Sequence, residues 1–379
     1  MRLIAPFGFY GWGNIGDEAT LQGFARLLAR YDPGATAWFA SRDPRHTARA
    51  EPSLRYFEAS RSSLRRWLAN RRADGAVFVG GTPIMDVLGQ WPLGEVAPLV
   101  AAQASRGRPV AFVGVGTERL HRDESRRLIA RELAPRVQHW SVRSEYDRER
   151  LVACGVDGGR VTVAADLAWT LEPVAPADDS RPECLQARQG EELVGVNVTN
   201  ERFVAERAPH LLEALAQLFD RLIEKRNIRV AFFCNEIRED DAFDKAASEH
   251  ILRHMTHRDR AAIVPNEYRT PEQMMALIGA CRLVIGMRYH FCLFAAIQGV
   301  PFVSVNRSDK VADLCRDLAW AHGVELEEAD PVRLEATTTA LLEEGPGARQ
   351  ALLGRVETMR GRVWQNCAAL DALRHHARG

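Results

Sequence analysis

Cys281-Arg-Leu-Val-Ile-Gly-Met-Arg-Tyr-His-Phe-Cys-Leu-Phe-Ala-Ala-Ile-Gln-Gly-Val-Pro-Phe-Val-Ser-Val305 is the stretch whose reading decides the fold. Leu283-Val284-Ile285 is a short, β-branched apolar run of the kind that forms a buried parallel strand. Gly286 breaks it. Arg288 and His290 follow as a helix begins, and Leu293, Phe294 and Ile297 recur at helical spacing until Gly299 and Pro301 stop it. Phe302-Val-Ser-Val305 then reads as the next strand. The stretch is one strand–loop–helix–strand unit, which puts Arg288 and His290 at the carboxyl end of a strand and the amino end of a helix. Open α/β sheets bind ligands at that edge, and helix amino ends favour anions.

The same alternation runs through the chain. A strand over 2–9 leads into Gly8-Phe-Tyr-Gly-Trp-Gly-Asn-Ile-Gly-Asp-Glu18 and an amphipathic helix to about Arg30. The order is that of a Rossmann opening, but the glycine spacing is not G-x-G-x-x-G. Asp17 and Glu18 fall in the first helical turn, where they would repel a pyrophosphate. Hydroxyls of a neutral ligand suit Asn14 and Asp17 better, the competing reading being that they only cap the helix. Trp38-Phe-Ala is a weak strand, and 42–72 is an arginine-rich run of helix and loop, either a solvated surface or a site for an anionic acceptor. Further strands begin at Gly75, Pro109, Val137 and Val161, the first ending in Gly80-Gly81 and the third in Arg143. A proline-rich polar linker is expected over 176–192. A second set follows: a strand from Leu193, a helix over 207–226, a strand at 228–234, a helix over 240–256, a strand at 261–264 and a helix over 271–280. Beyond the opening stretch come helices near 310–321 and 331–343. The fold class expected is α/β: two Rossmann-like, doubly wound parallel-sheet domains (1–175 and 193–345). A C-terminal helical segment, 346–379, would pack back on the first domain.

Bulk numbers exclude several classes. With 379 residues, 46% apolar and 26% charged, the chain has the make-up of a globular protein of two domains. Fifty basic and fifty acidic residues give a formal net charge of zero, which argues against general nucleic-acid binding. No apolar run approaches the ~20 residues that span a bilayer, and the N-terminal apolar run is too short for a signal peptide. The seven cysteines include no C-x-x-C pair, so reduced thiols in a cytoplasmic protein, with no metal site, are expected.

Taken in order, Gly11-Trp-Gly-Asn-Ile-Gly-Asp-Glu18, Gly80-Gly81, Val142-Arg143, Asp166-Leu-Ala, and Gly286-Met-Arg-Tyr-His290 through Gly299-Val-Pro301 to Lys310 resemble the polysaccharide pyruvyl transferase family over roughly residues 8–315. The resemblance implies transfer of the pyruvyl group of phosphoenolpyruvate to sugar hydroxyls as a ketal, with phosphate released. It implies two domains facing a cleft, as in GT-B enzymes, and no cofactor besides that co-substrate. It makes Arg288, His290 and Arg143 the catalytic set, with Tyr289 and Lys310 joining them around the donor. Asn14, Asp17, Gly81 and Thr82 are left for the acceptor, Asp17 as a base for the attacking hydroxyl. Where the family usually has Arg-Asp, a third glycine and Asp-Pro, this chain has Arg143-Ser144, Thr82 and Asp166-Leu167; these departures point to an acceptor such as a small sugar, glycolipid or natural product.

The chemistry fits those residue types. The donor carboxylate and phosphate need cations, and arginine forks suit both. Protonation of the vinyl carbon needs a general acid, for which imidazolium is the usual choice. The rivals are a GT-B glycosyltransferase with a nucleotide-sugar donor, and a non-catalytic sugar-binding protein of the same shape. A homo-oligomer stays open.

Overall fold

The computed structural model describes residues 1–60, 64–175, 182–186, 190–237 and 243–376. Most of the expected 176–192 linker, Arg61 of the arginine-rich run and the start of the expected 240–256 helix lie outside them.

The chain forms two compact units, Met1–Leu171 with Thr358–Gly379, and Glu172–Glu357. In the first, β1 (Arg2–Ala5), β2 (Thr36–Ser41), β3 (Arg55–Glu58), β4 (Gly75–Val79), β5 (Val110–Val115), β6 (Val137–Val142) and β7 (Val161–Val163) build one sheet in the order β3-β2-β1-β4-β5-β6-β7. All its pairings are parallel. In the second, β8 (Glu192–Asn197), β9 (Ile228–Phe232), β10 (Ala261–Ile263), β11 (Leu283–Gly286), β12 (Phe302–Asn306) and β13 (Gly323–Glu325) run β10-β9-β8-β11-β12-β13, again parallel throughout. Both are Rossmann-like doubly wound sheets. Their order reverses between β1 and β4 and between β8 and β11, where successive connections leave for opposite faces and open a crevice at the carboxyl edge.

Central strands read as unbroken apolar runs because helices cover both faces. Leu283, Val284 and Ile285 are buried, and Ile285 is in register with Val196 on one side and Val303 on the other. In the first sheet Phe78, Phe112 and Trp140 stack across β4, β5 and β6 with centroids 4.8 and 4.2 Å apart. Each such fully buried aromatic contributes roughly 1.5–3 kcal/mol. Helix starts follow the residues that cap them. Thr270 and Gln273 form a capping box ahead of Pro271, and Asp330 caps Pro331–Glu344.

Two strands escape the sequence reading. β3 lies inside the arginine-rich run, and β13 follows the expected helix 310–321, which ends at Asp317. Both are short edge strands, of four and three residues, too brief to leave a two-residue period. The expected 207–226 helix runs over Leu211–Lys225, and a short helix, Arg202–Arg207, precedes it. The C-terminal segment is shared. Helix Pro346–Arg362 carries the chain from the second unit into the first, where Asn366 Nδ2 donates to Ala165 O at 2.9 Å and Ser141 Oγ bonds Asn366 Oδ1 at 2.7 Å.

Candidate functional site

In the second unit, the corner after β11 is built around Gly286. A Cβ there would come within 2.7 Å of Cys292 Sγ and 3.0 Å of the Phe291 ring, so only glycine lets helix Tyr289–Ile297 start this close to the strand. Arg288 is the residue before that helix, in extended conformation, and is 5% exposed. Its guanidinium turns back on Asp244, the first residue of helix Asp244–His254. Nε lies 2.9 Å from both carboxylate oxygens and Nη2 lies 2.6 Å from Oδ1. Asp244 is fully buried, and its Oδ2 also accepts from Asn197 Nδ2 at 3.1 Å and from the Asn235 N–H at 2.9 Å. Phe243, just before it, has φ +61°, a costly conformation for an aromatic residue, and it turns the chain into this helix.

Two further carboxylates reach the other side of the guanidinium. Glu236 lies 3.3 Å from Nη1 and Glu201 lies 3.2 Å from Nη2. Glu201 also holds Arg307 at 2.6 Å, whose Nε donates to Met287 O at 3.1 Å. Burial disfavours the Arg288 charge, but Asp244, Glu236 and Glu201 outweigh it and raise the pKa above the ordinary arginine value. Burial likewise pushes the Glu201 carboxyl up, and Arg307, Arg288 and Lys310 reverse that and hold it ionised. Three cations thus stand among three carboxylates at the carboxyl ends of β8, β9, β11 and β12. His290 follows in the first helical turn, half-buried, its ring edge-on to Tyr289 at 5.0 Å and tilted against Phe294 at 6.2 Å. Lys310 is half-buried in the first turn of helix Asp309–Asp317.

The first unit has its own row at the sheet edge. Thr82, Gly116, Arg143 and Asp166 follow β4, β5, β6 and β7. Arg143 Nη1 pairs with Asp166 Oδ2 at 3.2 Å and its Nη2 reaches Thr82 Oγ1 at 3.4 Å. The guanidinium lies where a Cβ on Gly116 would be, 1.6 Å from Nη2, so glycine there makes room for the arginine. Asn14 caps helix Ile15–Tyr31, Oδ1 accepting the Gly16 N–H at 2.9 Å, and half-buried Asp17 lies in the first turn. Gly80 and Gly81 both have positive φ, and a Cβ on Gly81 would strike the Phe9 ring at 2.5 Å. Trp12, on the same loop, is partly exposed with the Arg42 guanidinium 4.3 Å over its ring.

Glu18, read from the sequence as a repelling charge, is a different kind of group. It is 2% exposed, its Oε1 accepts the Gly11 N–H at 2.9 Å, and its Oε2 is buried with no hydrogen-bond partner. Burial is the main cause of a pKa raised to about 7, the Gly11 N–H opposing it. A carboxyl whose pKa is raised on folding binds extra protons in the native state between about pH 4.5 and 7, so its contribution to stability falls as pH rises through that window. At ~1.36 kcal/mol per unit that is about 3 kcal/mol. Glu18→Gln is expected to remove that fall: its advantage over wild type should grow from pH 4.5 to 7.5 in urea titrations. A constant difference would show that Glu18 titrates normally.

Within the second unit the structure brings together Arg288, Tyr289, His290 and Lys310; within the first it joins Arg143 to Thr82. Sequence reading passed over Asp244, Glu236, Glu201 and Arg307. Glu201, Glu236 and Arg307 sit one to four residues beyond strand ends, so the strand-end rule that found Arg288 extends to them. Asp244 lies eight residues past Glu236 and has no such signal.

Comparison with solved structures places this fold among GT-B-like proteins. The putative UDP-N-acetylglucosamine 2-epimerase of Listeria monocytogenes superposes with a TM-score of 0.63 at 12% identity, over 99% of this chain and 96% of that one. HepE of Anabaena, in complex with UDP-glucose, gives 0.65 at 12% over 100% and 98%. UDP-GlcNAc 2-epimerase of Neisseria meningitidis, bound to UDP-GlcNAc, gives 0.63 at 12% over 100% of both chains. Nothing among curated protein sequences matches this chain. Two Rossmann-like domains with a charged cluster at a sheet edge define the class, a GT-B-like protein. The family follows from the sequence itself: residues 14–309 match the model for polysaccharide pyruvyl transferase, and the chain belongs to that family. Among the described residues no helix is long and apolar enough to cross a membrane.

Proposed function

We propose that the protein transfers the pyruvyl group of phosphoenolpyruvate to two hydroxyls of a sugar-containing acceptor, with His290 as the proton donor. The observation that carries this reading is the placement of His290 in the first turn of a helix, directly after the buried Arg288 and its carboxylates. Arg288, the residue before helix Tyr289–Ile297, makes no side-chain cap bond to it, and the positive end of a helix suits a donor oxyanion. Arg288 is fixed by Asp244, and its longer contacts to Glu201 and Glu236 are the ones a donor carboxylate or phosphate would replace. Lys310 adds a further cation. Tyr289, buried against His290, positions that ring. For Arg143 we propose a narrower part than donor binding, that of holding Asp166 and Thr82 at the first sheet edge.

The steps balance. Imidazolium gives its proton to the CH2 carbon of the enol, leaving an oxocarbenium centre at C2. An acceptor oxygen bonds to C2 and its proton returns to the now neutral imidazole. The C2–O bond to phosphate then breaks, inorganic phosphate leaves with the electron pair, and the second hydroxyl closes the ketal as its proton passes to that phosphate. The first unit's loop, with Trp12, Asn14 and Asp17, is the proposed acceptor side, stacking and hydrogen bonding suiting a sugar.

One observation favours a second reading, a nucleotide-sugar donor: Glu201 and Glu236 could accept hydroxyl protons, and two of the similar folds above were solved with a UDP-sugar. Thermal shift separates the two. Stabilisation by phosphoenolpyruvate, with none by UDP or GDP, is expected; the reverse pattern would overturn pyruvyl transfer.

A further inference from the structure

Away from the Arg288 cluster, two neighbouring helices of the second unit bring a carboxylate and two imidazoles together. Glu213 is near the start of Leu211–Lys225, whose apolar face (Leu215, Leu218, Phe219, Leu222) is buried. His250 and His254 lie four residues apart on Asp244–His254, so both project from one face. His250 Nε2 is 3.0 Å from Glu213 Oε1, and the two imidazoles stack with centroids 4.3 Å apart at 22°. One ligand atom from each of the three lies within 4.8 Å of the others.

Three features turn this from an ion pair into a coordination site. His254 Nδ1 donates to the His250 carbonyl at 2.8 Å, which fixes the tautomer and leaves the Nε2 lone pair outward. Metal-binding histidines use this arrangement, one ring nitrogen tied to the backbone and the other on the ion. Glu213 Oε2 is buried and has no hydrogen-bond partner, an acceptor left open beside the two rings. Bonds of about 2.0–2.2 Å to zinc need ligand atoms roughly 3–3.5 Å apart. The Glu213–His250 pair already meets that, and His254, exposed at the last residue of its helix, can turn to close the third side.

We propose that Glu213, His250 and His254 bind one borderline divalent transition-metal ion, zinc or its near neighbours, as a staple between these two helices. Two imidazoles and one carboxylate select such ions over magnesium or calcium, and three protein ligands leave the fourth position to water. The stapled helix begins at Asp244, and at ~1.5 Å rise per residue His250 and His254 lie about 9 and 15 Å along it. The ion therefore takes no part at His290, but it fixes the helix whose first residue holds Arg288.

The test uses the full-length, untagged protein stripped with chelator and titrated with zinc sulfate by calorimetry, with thermal midpoints read in parallel. One saturable equivalent and a raised midpoint are expected. His250→Ala and His254→Ala should each weaken that binding by on the order of tenfold or more, and each should remove the midpoint rise. Cobalt(II) should give ligand-field absorption that both variants lose. Zinc uptake that is the same in wild type and the double variant would assign binding to cysteines and overturn the proposal. So would a wild-type midpoint indifferent to zinc while His250→Ala alone lowers it, since that marks a simple Glu213–His250 ion pair. If His250→Ala misfolds, His254→Ala, which changes an exposed side chain, decides alone.

Discussion

His290→Ala is expected to slow phosphate release from phosphoenolpyruvate in the presence of acceptor by about 10²–10⁴-fold, the usual contribution of a positioned general acid. The fold should not suffer. His290 is half-buried in a first helical turn, where alanine is a better helix former than histidine, so the thermal midpoint should stay near that of wild type. The loss should lie in kcat, because the imidazole acts on the carbon that becomes protonated and not on the oxyanions that bind the donor. Phosphoenolpyruvate should therefore still stabilise the variant against heat. A variant that turns over like wild type would remove His290 from the mechanism. One that no longer binds the donor would make it a binding group.

Asp244→Asn is expected to cost the second unit about 3–5 kcal/mol, the range for breaking a buried ion pair by removing one partner's charge. The carboxylate is fully buried and its oxygens accept from Arg288 Nε and Nη2, Asn197 Nδ2 and the Asn235 N–H. Asparagine fits the space but must turn an NH2 group toward one set of these donors. Arg288, at 5% exposure, then keeps its charge with less to balance it. Urea unfolding measures the loss, and hydrogen exchange in β8 and β11 shows that it falls in this unit. Glu343→Gln is the control. Its partner Arg226 is reached at 2.6 Å across an exposed surface, where such pairs contribute about 0–1 kcal/mol. Equal small losses in both variants would mean that the cluster around Arg288 does not hold the strand ends together.

The two sheets were legible in the sequence because a parallel strand covered on both faces has to be apolar throughout. Leu283–Ile285, Val110–Val115 and Gly75–Val79 announce themselves in that way. β3 and β13 do not, since Arg-Tyr-Phe-Glu and Gly-Val-Glu gain their partners only at a sheet edge. Arg288, His290 and Arg143 could be picked out because a charged residue directly after a buried strand faces the ligand-binding edge. What those arginines touch could not. Asp244 is 44 residues before Arg288 and Asp166 is 23 after Arg143, and nothing local ties either pair together. The linear reading gave both arginines to the donor's oxyanions, and the structure shows each already facing a buried carboxylate.

Periodicity and glycine placement, which are local, therefore determined the fold and the corner Gly286–His290 from the sequence alone. Only the tertiary structure decided the electrostatics. It made Glu18 a carboxyl with a pKa of about 7 by enclosing it, and it surrounded Arg288 with three acids drawn from three other parts of the chain. It also set Glu213 against two histidines 37 and 41 residues away. Charge interactions and desolvation depend on distance in space and on the exclusion of water, and a chain acquires both when it folds.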